Sequence, residues 1–155
     1  MSRATVAEAS IEVAAPPEVV WEVASDPRNL PYWDRHIEAA HVAREDLGPG
    51  AHYEVSMRFM TATARVRVEV VEWEPPWRAV LRLSGLLEAT VTTVVASLPF
   101  DRSLLRHQVE YRFRGPLGRF GAKSLNAVGG AKLALRRGLA AQKREIEARG
   151  APRSP

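Results

Sequence analysis

The chain has 155 residues, of which 46% are hydrophobic and 26% charged, with no cysteine and a net charge of +4. That is enough apolar material for one domain with its own core, and too much for disorder. The lack of cysteine excludes disulfides, thiolate zinc sites and cysteine nucleophiles. The first ten residues contain no apolar leader, and no run approaches the roughly 20 apolar residues of a membrane span. A cytoplasmic protein without transmembrane segments is therefore expected. The charge is unevenly spread. Residues 1–101 carry 9 Lys/Arg against 15 Asp/Glu, and residues 102–155 carry 13 against 3. The basic end suggests weak contact with an anionic surface through the C-terminal helix.

In chain order, Val6–Val13 alternates as a strand with Ile11 and Val13 inward. Ala14-Ala15-Pro16-Pro17 stops it, and the prolines suit the first turn of a helix with Glu18 near its positive end. That helix runs through Val19, Val20, Trp21 and Val23 to Ser25. Asp26-Pro27 starts a second, short helix, with Asp as N-cap, that ends at Leu30-Pro31-Tyr32-Trp33. Its polar surface, Arg28 and Asn29, is too small for reading DNA, so no specific nucleic acid is expected.

Strands follow at His36–Arg44, His52–Phe59, Ala64–Val71, Ala79–Leu83, Leu86–Leu98 and Leu105–Phe113. They are separated by turns at Gly48-Pro49-Gly50, Glu74-Pro75-Pro76, Ser84-Gly85 and Pro99-Phe100-Asp101. Alternation places Tyr53, Val55, Met57 and Phe59 on one face of their strand, and Ala64, Val66, Val68 and Val70 on one face of the next. Leu81 and Leu83 point the same way, as do Leu105, His107, Val109, Tyr111 and Phe113. Arg65, Arg67, Arg78 and Arg82 are expected to point outward.

The last stretch, Gly115–Gly150, reads as one long helix. Leu117, Gly121, Ser124, Val128, Leu135, Leu139, Gln142 and Ile146 share one face, with Arg119, Lys123, Arg137 and Arg144 far from it. Gly129-Gly130 marks a kink or local break. Small and polar members of the buried stripe leave room beside the helix.

Alternation on one face in so many successive strands requires an antiparallel sheet with one wet side, and only the C-terminal helix is long enough to cover the other. The expected fold is α+β: a curved seven-stranded antiparallel sheet wrapped around a long C-terminal helix, with two short helices after the first strand. Residues 1–150 are read as a single domain and 151–155 as a loose tail.

The chain resembles the START/polyketide-cyclase superfamily, also called SRPBCC, whose members have the helix-grip fold. The likeness rests on Ser10-Ile11-Glu12-Val13, Ala15-Pro16-Pro17-Glu18-Val19-Val20-Trp21, and Ser25-Asp26-Pro27 with Trp33. Further on it rests on Val71-Glu72-Trp73-Glu74-Pro75-Pro76 and Tyr111-Arg112-Phe113-Arg114-Gly115-Pro116-Leu117-Gly118. The resemblance implies an internal cavity between sheet and helix that holds an apolar or aromatic ligand. The aromatase-cyclase branch typically points aromatic and arginine side chains into its pocket from the central strand. Here those positions are aliphatic.

Candidate chemistry is sparse. His107 and Tyr111, one strand-step apart on an inward face, are the candidate catalytic pair, able to donate to a ligand carbonyl or to shuttle a proton. Metal binding is not expected, since His36 and His41 fall on opposite faces with no carboxylate to join them. There is no serine–histidine–acid arrangement, no phosphate loop and no cofactor signature. Trp21, Trp33, Tyr53, Phe59, Trp73, Trp77, Tyr111 and Phe113 are candidates to line or cap a cavity. Trp33 is expected at the entrance, and Tyr53, Met57 and Phe59 on the wall. The expected ligand-binding set is Trp33, Tyr53, Met57, Phe59, Val66, Val68, Leu81, Leu83, His107, Tyr111, Ser124 and Val128.

The leading expectation is a binding module for a lipid, polyketide or other hydrophobic metabolite, with no cofactor. The alternative is an aromatase-type polyketide cyclase or dehydratase using His107 and Tyr111.

Overall fold

A computed structural model describes residues 4–34, 37–42, 46–59, 61–85, 87–113, 115 and 130–150. Seven strands form one sheet: β1 (Thr5–Val13), β2 (Ile37–His41), β3 (His52–Phe59), β4 (Ala62–Glu74), β5 (Arg78–Gly85), β6 (Leu87–Leu98) and β7 (Arg102–Phe113). Their order is β1-β7-β6-β5-β4-β3-β2, and every neighbouring pair is antiparallel. From β2 to β7 the chain meanders, and β1 closes onto the last strand of that meander. Helix α1 (Pro17–Ala24), a 3₁₀ turn (Pro27–Asn29) and helix α2 (Leu30–Trp33) separate β1 from β2, and helix α3 (Ala131–Gly150) covers the inner face. This is an α+β helix-grip architecture.

The start signals act as their chemistry dictates. Proline opens α1, and its C-cap Ser25 donates its hydroxyl to the Trp21 carbonyl at 2.6 Å. The Asp26 carboxylate accepts from the Arg28 backbone N–H at 3.0 Å, capping the 3₁₀ turn. Its other oxygen pairs with the Arg28 guanidinium at 2.7 Å. Asn29 reaches back to the Val23 carbonyl at 3.1 Å and fixes the corner between α1 and α2.

Two features refine the sequence reading. The break expected at Gly129-Gly130 is present: Gly130 stands at φ +88, a left-handed conformation that no α-helical residue adopts, and α3 begins at Ala131. Leu117, Gly121, Ser124 and Val128 lie outside the described residues, as does His36. The inward alternation of β4 does not continue to the strand's end. A bulge between Val70 and Glu72 puts two residues opposite one step of β5. Val71 is left 40% exposed, and Trp73 turns inward to meet Trp21 edge-on, with ring centroids 5.1 Å apart.

The interior has two unlike ends. Around α1, Val13, Val20, Val23, Val95, Leu105, Leu139 and Ile146 are essentially solvent-free and packed together. Each such aliphatic side chain contributes about 1.5–3 kcal/mol by leaving water. At this end Ser103 donates to the Ala15 carbonyl at 2.7 Å, and Glu147 of α3 accepts from the Ala14 N–H at 2.9 Å. Towards β2–β4 a second cluster, Tyr53, Val55, Val68 and Val70, clings to the sheet.

The wet face carries cross-strand ion pairs. Pairing of β1 with β7 brings Glu8 to Arg106 at 2.8 Å and Glu12 to Arg102 at 3.3 Å, and β6 brings Glu88 to Arg112 at 2.5 Å. The acidic first part of the chain thus neutralises part of the basic end. As expected, Arg65 and Arg67 face outward, with Arg65 on Glu54 at 3.2 Å.

Candidate functional site

Between α3, α2 and strands β3–β7 the structure leaves a hollow of about 310 Å³. Its location follows from side-chain size along each element. On the sheet, Val66 and Val68 of β4 and Leu81 and Leu83 of β5 form an aliphatic floor. Tyr53 and Met57 of β3 make one wall, and His107, Tyr111 and Phe113 of β7 another. On the helix side the residues are Ala131, Ala134, Leu135, Gly138, Leu139 and Gln142. Alanine and glycine at three of those positions leave the space between helix and sheet unfilled. A Cβ at Gly138 would sit 3.7 Å from the Trp33 carbonyl oxygen, so α2 packs close to α3 at this point. Trp33 and Ile37 border the hollow from the α2–β2 corner.

Nine of the residues expected to bind ligand border this hollow: Trp33, Tyr53, Met57, Val66, Val68, Leu81, Leu83, His107 and Tyr111. Ser124, Val128 and the side chain of Phe59 lie outside the described residues. Three aromatics named from the sequence do not border it. Trp21 and Trp73 pack on each other in the solid end, and Trp77 sits 46% exposed in the β4–β5 turn. Plain alternation would put Trp73 on the outer face, and the bulge at Val71 turns it inward onto Trp21, clear of the hollow.

The polar members of the lining are few: Asp34, Tyr53, Thr93, His107, Tyr111 and Gln142. Three of them are connected. Thr93 Oγ1 lies 2.9 Å from His107 Nδ1, and His107 Nε2 lies 2.9 Å from Gln142 Oε1. All three residues are buried, with 9%, 8% and 6% exposure. Burial lowers the His107 pKa below its ordinary 6.5, against an opposing pull from the Gln142 hydrogen bond. The imidazole is therefore neutral at physiological pH, and both ring nitrogens are occupied. Burial and the nearby Asp26 charge push the Tyr53 phenol up to about 12, so it too is neutral.

Sequence reasoning missed Thr93 and the link to Gln142. Gln142 belongs to the expected inward stripe, but a helical wheel does not say which strand it meets. Thr93 is legible through the turn: with Pro99-Phe100-Asp101 as a three-residue loop, Leu98 pairs with Arg102 and Thr93 falls opposite His107. Among the described residues no three His, Asp or Glu side chains converge as a metal site. No described helix is long and apolar enough to cross a membrane.

The fold is that of a helix-grip domain. The chain belongs to the polyketide cyclase / dehydrase and lipid transport family, which matches residues 4–147. Among solved structures, the Zhui aromatase/cyclase from Streptomyces sp. R1128 is similar with a TM-score of 0.75 at 17% identity over 96% of each chain. A START superfamily protein from Mycobacterium smegmatis has a TM-score of 0.65 at 14% identity, over 91% of this chain and 98% of that one. A norcoclaurine synthase point mutant from Thalictrum flavum, in complex with a transition-state analogue, has a TM-score of 0.66 at 15% identity, over 97% and 99%. At such identities the likeness speaks to fold alone. None of the curated proteins matches the chain in sequence.

Proposed function

We propose that this protein holds a hydrophobic or ring-bearing small molecule, such as a polyketide-like or lipid-like metabolite, between its sheet and α3. One observation carries the reading: a mostly apolar hollow of about 310 Å³ interrupts an otherwise tightly packed interior, with a few polar groups converging on it. Empty apolar space forfeits packing energy, so a fold that keeps it gains stability when a ligand fills it. The volume lies at the low end of the roughly 300–1,000 Å³ typical of small-molecule sites. It suits a compact ring system or one short chain better than a two-chain lipid. Trp33, at the end of the short helix α2, is the proposed entrance residue, with Tyr53 and Met57 on the wall. The family's description and the titles of its structural neighbours, an aromatase/cyclase among them, support ligands of this class.

Binding to the native state alone raises stability by about 2.7 kcal/mol at a hundredfold excess over Kd. For a chain of this length that corresponds to a melting-temperature rise of roughly 5–10 °C. A panel of aromatic and single-chain lipid ligands is expected to include compounds giving such a rise. Met57→Trp, which fills the hollow, is expected to abolish it. A panel without any shift would contradict the reading.

A cyclase or dehydratase activity is the second reading, favoured by His107 and Tyr111 bordering the same hollow. A neutral imidazole there can take a proton from a methylene between two carbonyls, and the resulting enolate can attack a second carbonyl. His107 must first release Thr93 or Gln142, since both ring nitrogens are engaged. Holding a ligand requires no such release, and so fits the resting geometry better than conversion. His107→Ala is expected to slow turnover of a poly-β-ketone at least a hundredfold if the enzyme reading holds. An unchanged rate removes it.

A further inference from the structure

The polar groups in the hollow form a chain with a direction. The Thr93 hydroxyl has His107 Nδ1 as its hydrogen-bond partner and makes no other side-chain hydrogen bond among the described residues. The Gln142 carboxamide oxygen can only accept, so its 2.9 Å contact places the ring proton on His107 Nε2 and leaves Nδ1 as an acceptor. Thr93 therefore donates to Nδ1, the ring proton sits on Nε2, and Nε2–H donates to Gln142 Oε1. The carboxamide oxygen is thereby committed. What remains of Gln142 is its NH₂ group, two donors on a residue that borders the hollow. No described side-chain nitrogen or oxygen is both fully buried and unpartnered, so these donors retain access to the hollow.

We infer that the Gln142 carboxamide is the ligand-anchoring donor of this pocket, selecting neutral molecules that carry a carbonyl over the same skeleton without one. The inference rests on the reading of the hollow as a ligand site, and it names the class of ligand. Two features extend it. The described lining contains no lysine or arginine to offset the desolvation of a carboxylate ligand. The chain also begins on β6, crosses β7 and ends on α3, so the anchor is fixed by the same contact that joins helix to sheet. Burial keeps His107 neutral and so preserves the polarity of the chain.

Calorimetric titration with fluorenone, fluorene and fluorene-9-carboxylate tests this. Wild-type protein is expected to bind fluorenone about tenfold more tightly than fluorene, the effect of one well-placed hydrogen bond. The carboxylate should bind at least tenfold more weakly than the ketone. In Gln142→Leu the ketone should fall to the affinity of the hydrocarbon. Gln142→Met, a donor-free side chain of similar length, should likewise abolish the ketone preference and serves if the first variant does not fold. Long-range ¹H–¹⁵N spectra of wild-type protein should show His107 protonated on Nε2. Equal binding of ketone and hydrocarbon, a preference that survives Gln142→Leu, or a ring proton on Nδ1 would each overturn the anchor while leaving the pocket. Failure of all three probes and of the wider aromatic and lipid panel to bind would overturn the pocket reading, and the anchor with it.

Discussion

His107 shows how one side chain can be legible in kind but not in partnership. Alternation in β7 puts it on the inner face, where the structure buries it between Thr93 of β6 and Gln142 of α3. Both partners are uncharged, so burial dominates and its pKa falls. The folded chain then binds fewer protons than the unfolded chain in the interval just below pH 6.5, and stability rises with pH across it. The contribution is fully present above 6.5 and is lost as pH falls towards the lowered folded value. Wild-type protein is therefore expected to lose melting temperature between pH 7.5 and 5. Each tenfold weakening of proton binding on folding corresponds to about 1.4 kcal/mol of stability lost on acidification. His107→Gln, which cannot charge, should lose less over the same interval. Parallel losses in the two proteins would show that His107 does not carry this dependence.

Among the elements, α3 was the most and the least legible. The face carrying Leu135, Leu139, Gln142 and Ile146 is readable from the 3.6-residue period, and in the structure Leu139, Gln142 and Ile146 are buried. The break at Gly129-Gly130 is readable as well, but whether it kinks or ends the helix is not, because glycine lowers helix propensity without forbidding the helix. The positive φ of Gly130 decides the matter locally. The β4 bulge was equally hidden, since Val70, Val71 and Trp73 are all good strand residues and only the pairing with β5 shows which one is extra. Gly138 links this element to the site. Its added Cβ would make ordinary contact with the Trp33 carbonyl, and alanine is preferred to glycine in a helix by about 1 kcal/mol. Gly138→Ala is expected to raise the melting temperature of ligand-free protein by a few degrees. Gly138→Leu, which reaches into the hollow, is expected to cut ligand affinity at least tenfold. Unchanged affinity in Gly138→Leu would mean that the ligand does not lie against α3.

At the scale of the whole molecule, local pattern and global pairing answer different questions. The alternation of strands and the one long amphipathic helix were sufficient to give the seven-stranded sheet and its covering rod. The charge asymmetry along the chain is offset in part, because the β1–β7 pairing sets Glu8 and Glu12 against Arg106 and Arg102. Such surface pairs add little stability, about 0–1 kcal/mol each, but they reduce the positive charge available to an outside partner. What the pairing leaves is an interior filled around α1 and hollow between β3–β7 and α3. Native mass spectrometry of gently purified protein measures most directly whether that hollow is a binding site. One small hydrophobic molecule per chain is expected in wild-type protein, and none in the cavity-filling Met57→Trp variant. Ligand-free wild-type protein that also takes up no compound from an added aromatic and lipid panel would contradict the account.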